Sequence, residues 1–436
     1  MKSSTRRQIE AVVAETHKQL ITYVLDGGRI AVVKAPPGSG KTYLLMKVVQ
    51  AAKKMRVAIA TQTRSQADDI CHRLLTQFKI KPIRFAAASS ARVDRGYDVV
   101  TDKKELPNGP CVVVGTSAKW GMISDPQPFD VLFVDEAWQL AWADFMLLGQ
   151  VAGRFVLIGD PGQIPPVVTI DTGRWETAPR APHHPAPDLV RRQKPRDLLN
   201  LDLPATRRLP HDTVEYIRPF YDFQFASWAE PGERSLLVGG RAKDGIDSAI
   251  DRLASGSVVA LTLPTPPEGP PLEEDHEVAA IAGEVAQRLL SRSARVVMDG
   301  KTVDLGEAGI GLCATHRVMN AAMELRLPPA LRRKVNVDTP ERWQGLERPV
   351  MVMAHPLSGV VQPSDFDLET GRLCVMASRH QAGLIIVTRD HIGRTLDAHL
   401  PVAGQPVGRP DVAGRGHHQN IAFWSRLLQQ DRVVEL

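Results

Sequence analysis

Apolar residues gather in short unbroken runs at 30–35, 57–61, 111–116, 131–135 and 155–160, and polar-patterned segments at 41–54 and 65–77 lie between some of them. The runs are rich in Val and Ile and apolar at nearly every position, as strands are when both faces of a sheet are covered. Their alternation with helix-like segments predicts a parallel sheet with crossover helices. Residues 161–200 break the pattern with clustered prolines and predict a linker or irregular flap. A second alternation follows at 235–238, 258–263, 310–315, 335–337, 350–354 and 384–388, with a helix expected over 273–290. A rigid connector is expected at 264–271, and Asp299-Gly300 reads as a hairpin turn. The expected organisation is α/β with two lobes, 1–200 and 201–400, and a small insertion at about 80–110 in the first. Residues 401–436 are expected as a tail of Gly- and His-rich coil with a short amphipathic helix at 421–428.

Composition changes this picture little. The 436 residues are 43% hydrophobic and 24% charged, which suits a soluble globular chain of two or three domains. No apolar run is long enough to span a bilayer, and the first residues lack an apolar signal core, so a cytoplasmic protein is expected. The four cysteines are scattered without metal-ligand spacing and read as reduced structural thiols. His183-His184 sits between prolines with no acidic or Cys partners in the pattern and reads as loop. The net charge of +5 leans toward a polyanionic partner, as do clusters such as Arg191-Arg192 and Arg332-Arg333-Lys334, though solvated surface explains each cluster equally well.

Chemistry enters at Ala35-Pro36-Pro37-Gly38-Ser39-Gly40-Lys41-Thr42, between the first strand and the first helix-like segment. Glycines let backbone N–H groups curl round phosphate oxygens, and a following helix N-terminus favours negative charge. Pro37, Gly38, Ser39 and Gly40 would cradle the phosphates, Lys41 would reach the β- and γ-phosphates, and the Thr42 hydroxyl would hold Mg²⁺. Ala35 stands where the strict pattern has Gly, at the loop's entry. Asp135 and Glu136 end the run at 131–135, where open α/β sheets bind ligands at their carboxyl edge. Asp135 would hold Mg²⁺ and Glu136 would polarise the attacking water. Asp160 and Gln163 follow the next run, and an amide there can sense a γ-phosphate; a Pro-Gly turn has the same composition.

These elements in this order resemble the superfamily 1 helicases, which implies two RecA-like P-loop NTPase domains, each a mainly parallel sheet with helices on both faces. The segment at 57–70 resembles that family's motif Ia and 112–120 its motif Ic, which implies nucleic-acid backbone contacts for Thr63 and Thr116. LPATRRLP at 203–210 resembles the segment that supplies a first arginine to the γ-phosphate, here Arg207, with Thr206 in place of the usual aromatic. Residues 337–353 resemble motif V, implying nucleotide contacts for Gly345 and Glu347 and a strand contact for Thr339. LCVMASRHQAG at 373–383 resembles motif VI, making Arg379 the second arginine. The adenine-reading glutamine is expected at Gln8, with Gln19 better spaced but poorly flanked.

The resemblance covers about residues 5–390, and the compact second lobe points to subgroup B, the group of the nonsense-mediated-decay and Okazaki-processing helicases. It implies an ATP- and Mg²⁺-dependent motor moving 5′→3′ on a single strand; subgroup members use both DNA and RNA, and the expectation adopted is DNA over RNA, a monomer and no membrane. Trp120, Trp138, Trp142 and Trp343 are candidate stacking surfaces, with core packing the simpler explanation. A rival reading is an ATP-gated nucleic-acid clamp with little unwinding, because 80–110 leaves little room for a strand-splitting subdomain.

Overall fold

Successive side chains of a strand point to opposite faces, so a run that is apolar throughout must fill both sides of a sheet. In the computed structural model of the chain, Val33, Ile59, Val114, Phe133 and Ile158 enter one buried cluster, and Val32, Ala58, Val113, Leu132 and Leu157 enter another. The structure describes residues 4–87, 96–123, 128–175, 178–400 and 412–436. These form two units, the first through 4–161 and 165–205, the second through 162–164, 206–400 and 412–436.

The first unit is built on an eight-stranded sheet. From edge to edge its strands are Asp98–Val100, Ile83–Phe85, Cys111–Thr116, Arg56–Thr61, Val131–Asp135, Phe155–Gly159, Ile30–Lys34 and Leu198–Asp202. Every pairing is parallel. Helices Ser4–Leu25, Lys41–Ala51 and Arg64–Phe78 supply Leu20, Val48 and Leu74 to the cluster on one face. Shorter helices at Ser117–Gly121, Trp142–Leu148 and Ala186–Gln193 supply Trp120, Phe145 and Val190 on the other. The order places the carboxyl ends of Val131–Asp135, Phe155–Gly159 and Ile30–Lys34 side by side.

The second unit carries a six-stranded parallel sheet in the order Asn336–Asp338, Ile310–Cys313, Arg348–Ala354, His380–Arg389, Val258–Leu263 and Val433–Glu435. Its long helix, His276–Ser291, is capped by Asp275, whose carboxylate also takes two bonds from the buried Arg389 guanidinium at 2.7 and 2.8 Å. Arg295–Met298 and Lys301–Asp304 form the expected hairpin, with Asp299 (φ 51°) and Gly300 (φ 78°) both left-handed at its turn, as a type I′ connection requires.

Three stretches differ from expectation. Within the Pro-rich 161–200, residues 186–193 are helical and Leu198–Asp202 adds a strand beside Ile30–Lys34. The described part of 80–110 contributes two strands to the sheet edge, and 88–95 lies outside the described residues. At the carboxyl end, the helix runs through Val412–Gln429 and Val433–Glu435 pairs with Val258–Leu263, so this stretch completes the second sheet. Phe423 and Leu427 of that helix are fully buried, which is what ties it down.

Candidate nucleotide site and the similarities of the chain

The loop at 36–40 leaves the carboxyl end of Ile30–Lys34 and enters helix Lys41–Ala51. Ala35 donates its N–H to the Gly159 carbonyl at 2.9 Å and is fully buried, so it continues the sheet and its methyl group lies in the core. The departure from Gly therefore leaves the loop itself unaffected. Gly38 (φ 69°) and Gly40 (φ 82°) are both left-handed. Nothing lies within 4 Å of where a Cβ on Gly40 would stand, so glycine is needed there for backbone conformation and not for room. The Ser39 hydroxyl is buried with no partner, an orphaned donor in the wall of the loop.

Lys41 Nζ lies 2.8 Å from Glu136 Oε1, and both side chains are largely buried. Burial works against the Lys41 charge, but Glu136, Asp160 and Asp135 outweigh it and raise the ammonium above its ordinary value. Asp135 is 5% exposed at the end of its strand. Burial first and the neighbouring Glu136 second push its carboxyl up to about 7, against the pull of Lys41. Glu136 is left-handed at φ 53°, an unfavourable backbone for a residue with a Cβ, and it donates its backbone N–H to Asp135 Oδ1 at 3.1 Å. Two buried carboxylates and a third from Asp160 face one ammonium, an excess of negative charge that a divalent cation would balance. An orphaned hydroxyl, a left-handed glycine loop and this acidic cluster fit a Mg²⁺-bound nucleoside triphosphate, for which Asp135 and Thr42 would be the residues that hold the metal.

In the second unit the structure brings together Glu347, Arg208, Gln381 and Arg379. Glu347 Oε2 accepts a short bond from Arg208 Nε, and Glu347 Oε1 accepts from Gln381 Nε2 at 2.7 Å. Burial raises the Glu347 carboxyl, yet Arg208, Gln381 and Arg379 together hold it below the usual range. Arg208 Nη1 also donates to the Ser378 carbonyl at 3.3 Å, one residue from Arg379. Arg379 is 1% exposed and donates Nε to the Val375 carbonyl at 3.3 Å. Arg207, the arginine expected from sequence, points elsewhere: its guanidinium lies 4.1 Å from the ring centre of Trp228. Gly345 is left-handed at φ 81° two residues before Glu347, where it turns the chain.

Gln163 is buried and groups with the second unit, where its backbone lies against Gly371; a Cβ on Gly371 would come within 2.6 Å of it. Thr63 and Thr116 cap helices Arg64–Phe78 and Ser117–Gly121, accepting from Gln66 N and Lys119 N at 3.2 Å each. Thr339 precedes the turn Pro340–Trp343 and makes no side-chain cap. Gln8 is exposed near the start of helix Ser4–Leu25. Gln19 lines an open groove with Gly28, Asp197 and Leu199, at the amino edge of the strands, away from the phosphate loop. A helix rises about 1.5 Å per residue, so running from Leu25 back to Gln8 returns the chain toward the carboxyl edge. Trp120 and Trp343 are fully buried and donate Nε1 to the Ile59 and Leu312 carbonyls, and Trp138 donates to Asp188. Trp142 is half-buried beside Phe145. His183 and His184 pack edge to face, and no group of three or more His, Cys, Asp or Glu among the described residues is placed to hold a metal ion by itself, so a cation at Asp135 would need Thr42 and the nucleotide to complete its shell. The cysteines Cys71, Cys111, Cys313 and Cys374 are free. No helix among the described residues is long and apolar enough to cross a membrane.

Sequence reasoning missed Arg208, Gln381, and the buried pair Thr213–His380, whose Oγ1 and Nε2 lie 2.8 Å apart. The doublet Arg207-Arg208 carried the only signal, and it did not say which member faces inward.

Residues 21–169 match a family described as an AAA domain. The DNA replication ATP-dependent helicase/nuclease DNA2 of Gallus gallus is 30% identical over 170 residues, 35% of this chain and 17% of that protein. Among solved structures, the arterivirus nonstructural protein 10 helicase is similar with a TM-score of 0.44 at 14% identity, over 84% of this chain and 61% of that one. The PRRSV helicase gives a TM-score of 0.43 at 16% identity, over 89% and 58%. The chain therefore spans less than two thirds of each of these relatives. The glycine-rich loop at 36–40 and the acidic strand end at Asp135 and Glu136 both lie inside the stretch that matches the AAA domain, and the chain is similar over part of its length to the DNA2 helicase/nuclease.

Proposed function

We propose that this chain is a nucleic-acid-dependent ATPase that moves 5′→3′ on a single strand, with DNA preferred to RNA. The observation that carries the ATPase reading is the Lys41–Glu136 contact at 2.8 Å, with Asp135 and Asp160 close enough to raise the lysine, at the carboxyl edge of a parallel sheet. The backbone N–H groups of 38–42 take the triphosphate, and Lys41 turns from Glu136 to its β- and γ-oxygens. Glu136, released from Lys41, accepts a proton from the attacking water. Mg²⁺, held by Asp135 and Thr42, would neutralise charge on the β- and γ-phosphates. Arg379 and Arg208 supply cationic charge to the transferring phosphoryl group, and Glu347 accepts from the nucleotide sugar; Arg208 replaces Arg207 in this role because it, and not Arg207, reaches Glu347 and Ser378. Gln163 senses the γ-phosphate, Gln8 reads adenine, and Thr63, Thr116 and Thr339 meet the strand's backbone.

The second reading, an ATP-gated clamp, draws on one observation: the described part of 80–110 is absorbed into the sheet edge. Both readings are tested by ATP turnover with and without single-stranded DNA or RNA, followed by unwinding of duplexes tailed at either end. The motor predicts stimulated turnover and displacement from one tail polarity. Stimulation without displacement selects the clamp, and absence of stimulation by every strand removes both. Glu136→Gln should retain ATP binding while turnover falls by about 100-fold or more. Wild-type turnover in that variant would remove Glu136 as the base.

A further inference from the structure

The two arginine-bearing segments of the second unit, 206–213 and 378–381, are far apart in sequence and are tied together at two points. The first tie is Arg208 to the Ser378 carbonyl, flanked by the Glu347 carboxylate that also takes Gln381. The second is buried and involves no charge that the proposed chemistry uses. Thr213 Oγ1 lies 2.8 Å from His380 Nε2 and 2.5 Å from Ser257 Oγ. Ser257 in turn donates its backbone N–H to Asp212 Oδ2 at 2.7 Å. Thr213 and His380 are fully buried and Ser257 is 4% exposed.

We propose that Thr213 and His380 are positioning residues, a buried latch that holds Arg208 and Arg379 in register as one cationic pair. The inference rests on the ATPase reading above and adds to it how this chain fixes the relative placement of its two arginines.

The placement explains the need. Residues 378–381 present a different partner at each step: Ser378 its carbonyl to Arg208, Arg379 its guanidinium, His380 its ring to Thr213, Gln381 its amide to Glu347. Arg379 lies between two residues that are each bonded to the 206–213 segment. A slip of that segment would move Arg208 and Arg379 relative to each other while leaving both in the unit. Electrostatic stabilisation of a transition state depends on donors already in place, so such a slip costs turnover more than binding. Burial keeps the His380 ring neutral, which lets it share a hydrogen bond with a hydroxyl without adding a third charge beside the two arginines.

The full chain tests this with Thr213→Val, which removes the hydroxyl at nearly constant shape, Thr213→Ser, which keeps it, and His380→Gln, whose amide reaches the position of Nε2. Steady-state ATP turnover with saturating single-stranded DNA, well below each melting temperature, should give about a ten-fold lower kcat for Thr213→Val with KM for ATP within about two-fold. Thr213→Ser and His380→Gln should recover most of kcat. Retention of ADP–aluminium fluoride over ADP should fall in Thr213→Val and return in Thr213→Ser. An unchanged kcat in Thr213→Val overturns the latch, as does a loss that Ser does not restore, or a rise in KM with kcat intact. If the parent chain hydrolyses no ATP with any strand, the ATPase reading falls and the latch falls with it, an outcome distinct from a working parent with an indifferent variant.

Discussion

Thr206 Oγ1 accepts the backbone N–H groups of Arg208 and Leu209 at 3.2 and 3.3 Å, and the bend that follows strand Ala205–Thr206 separates two chemically identical groups, Arg207 and Arg208. Arg207 is exposed and lies over Trp228; the Arg208 side chain is 12% exposed and bonds Glu347. A sequence pattern locates the doublet but not its inward member, and Thr206 replaces the aromatic that would have fixed the alignment. Replacing Arg208 with Ala is expected to lower strand-stimulated turnover by about 100-fold or more with little change in ATP binding, because an arginine placed on the γ-phosphate contributes mainly in the transition state. Arg207→Ala should cost less than about 1 kcal/mol of stability, the worth of an exposed cation–π contact, and leave turnover near wild type. Turnover assays on the two variants check this, and equal losses would dissolve the distinction. The strand, glycine turn and helix across 30–51 were legible at this scale, because left-handed Gly38 and Gly40 follow from backbone conformation that is local in sequence. The Lys41–Glu136 pairing was not, because it joins the loop to the end of a different strand.

Whole elements were legible where burial is two-sided. The run at 131–135 matches its strand residue for residue because Val131 and Phe133 face one core and Leu132 and Val134 the other. Edge strands lack that signature: Leu198–Asp202 follows a Pro-rich stretch and has only Leu201 buried, so nothing in its pattern marks it. Helix Ser4–Leu25 escaped for a similar reason, burying only Thr16, Leu20 and Val24 along its length. Helix ends raise a different problem, because Thr63 has a structural duty that is sufficient to explain it. Its hydroxyl and the Gln66 side chain form a complete capping box at the start of Arg64–Phe78. Thr63→Ala should lower stability by about 1 kcal/mol whether or not nucleic acid is contacted there. Thr63→Asp separates the two roles, since Asp caps as well as Thr but places a negative charge where a phosphate would approach. The expected result is unchanged melting with strand affinity reduced by roughly ten-fold at low salt, converging with wild type as salt rises. Equal affinity at every salt concentration would leave Thr63 as a cap alone.

Across the whole molecule, acid should act first on the second unit, because both of its strongly shifted histidines are buried there as neutral rings. Burial, with a smaller push from His391, lowers His355 from 6.5 to about 3. Burial also lowers His380 to about 4, with Arg208 adding to the effect and Asp212 opposing it. In the unfolded chain each would take up a proton below about pH 6.5, whereas the folded unit refuses it until near pH 4 or lower. The unfolded state therefore binds more protons across this window, and stability is complete above pH 6.5 and declines as pH falls. Between about pH 6.5 and 4.5 one shifted histidine accounts for at most on the order of 3 kcal/mol, enough to move the melting temperature of a unit this size by several degrees. His355 has a second structural duty, since its Nδ1 accepts from Leu357 N at 3.1 Å, so the cleaner probe is His380→Gln, which keeps a partner for Thr213 and cannot titrate. Melting the full chain from pH 7.5 to 4.5 should show a transition that falls with acid in the wild type and falls less steeply in His380→Gln. Parallel slopes in the two proteins would place the acid sensitivity elsewhere, and a steeper slope in the variant would mean that the neutral ring is not what the folded unit selects.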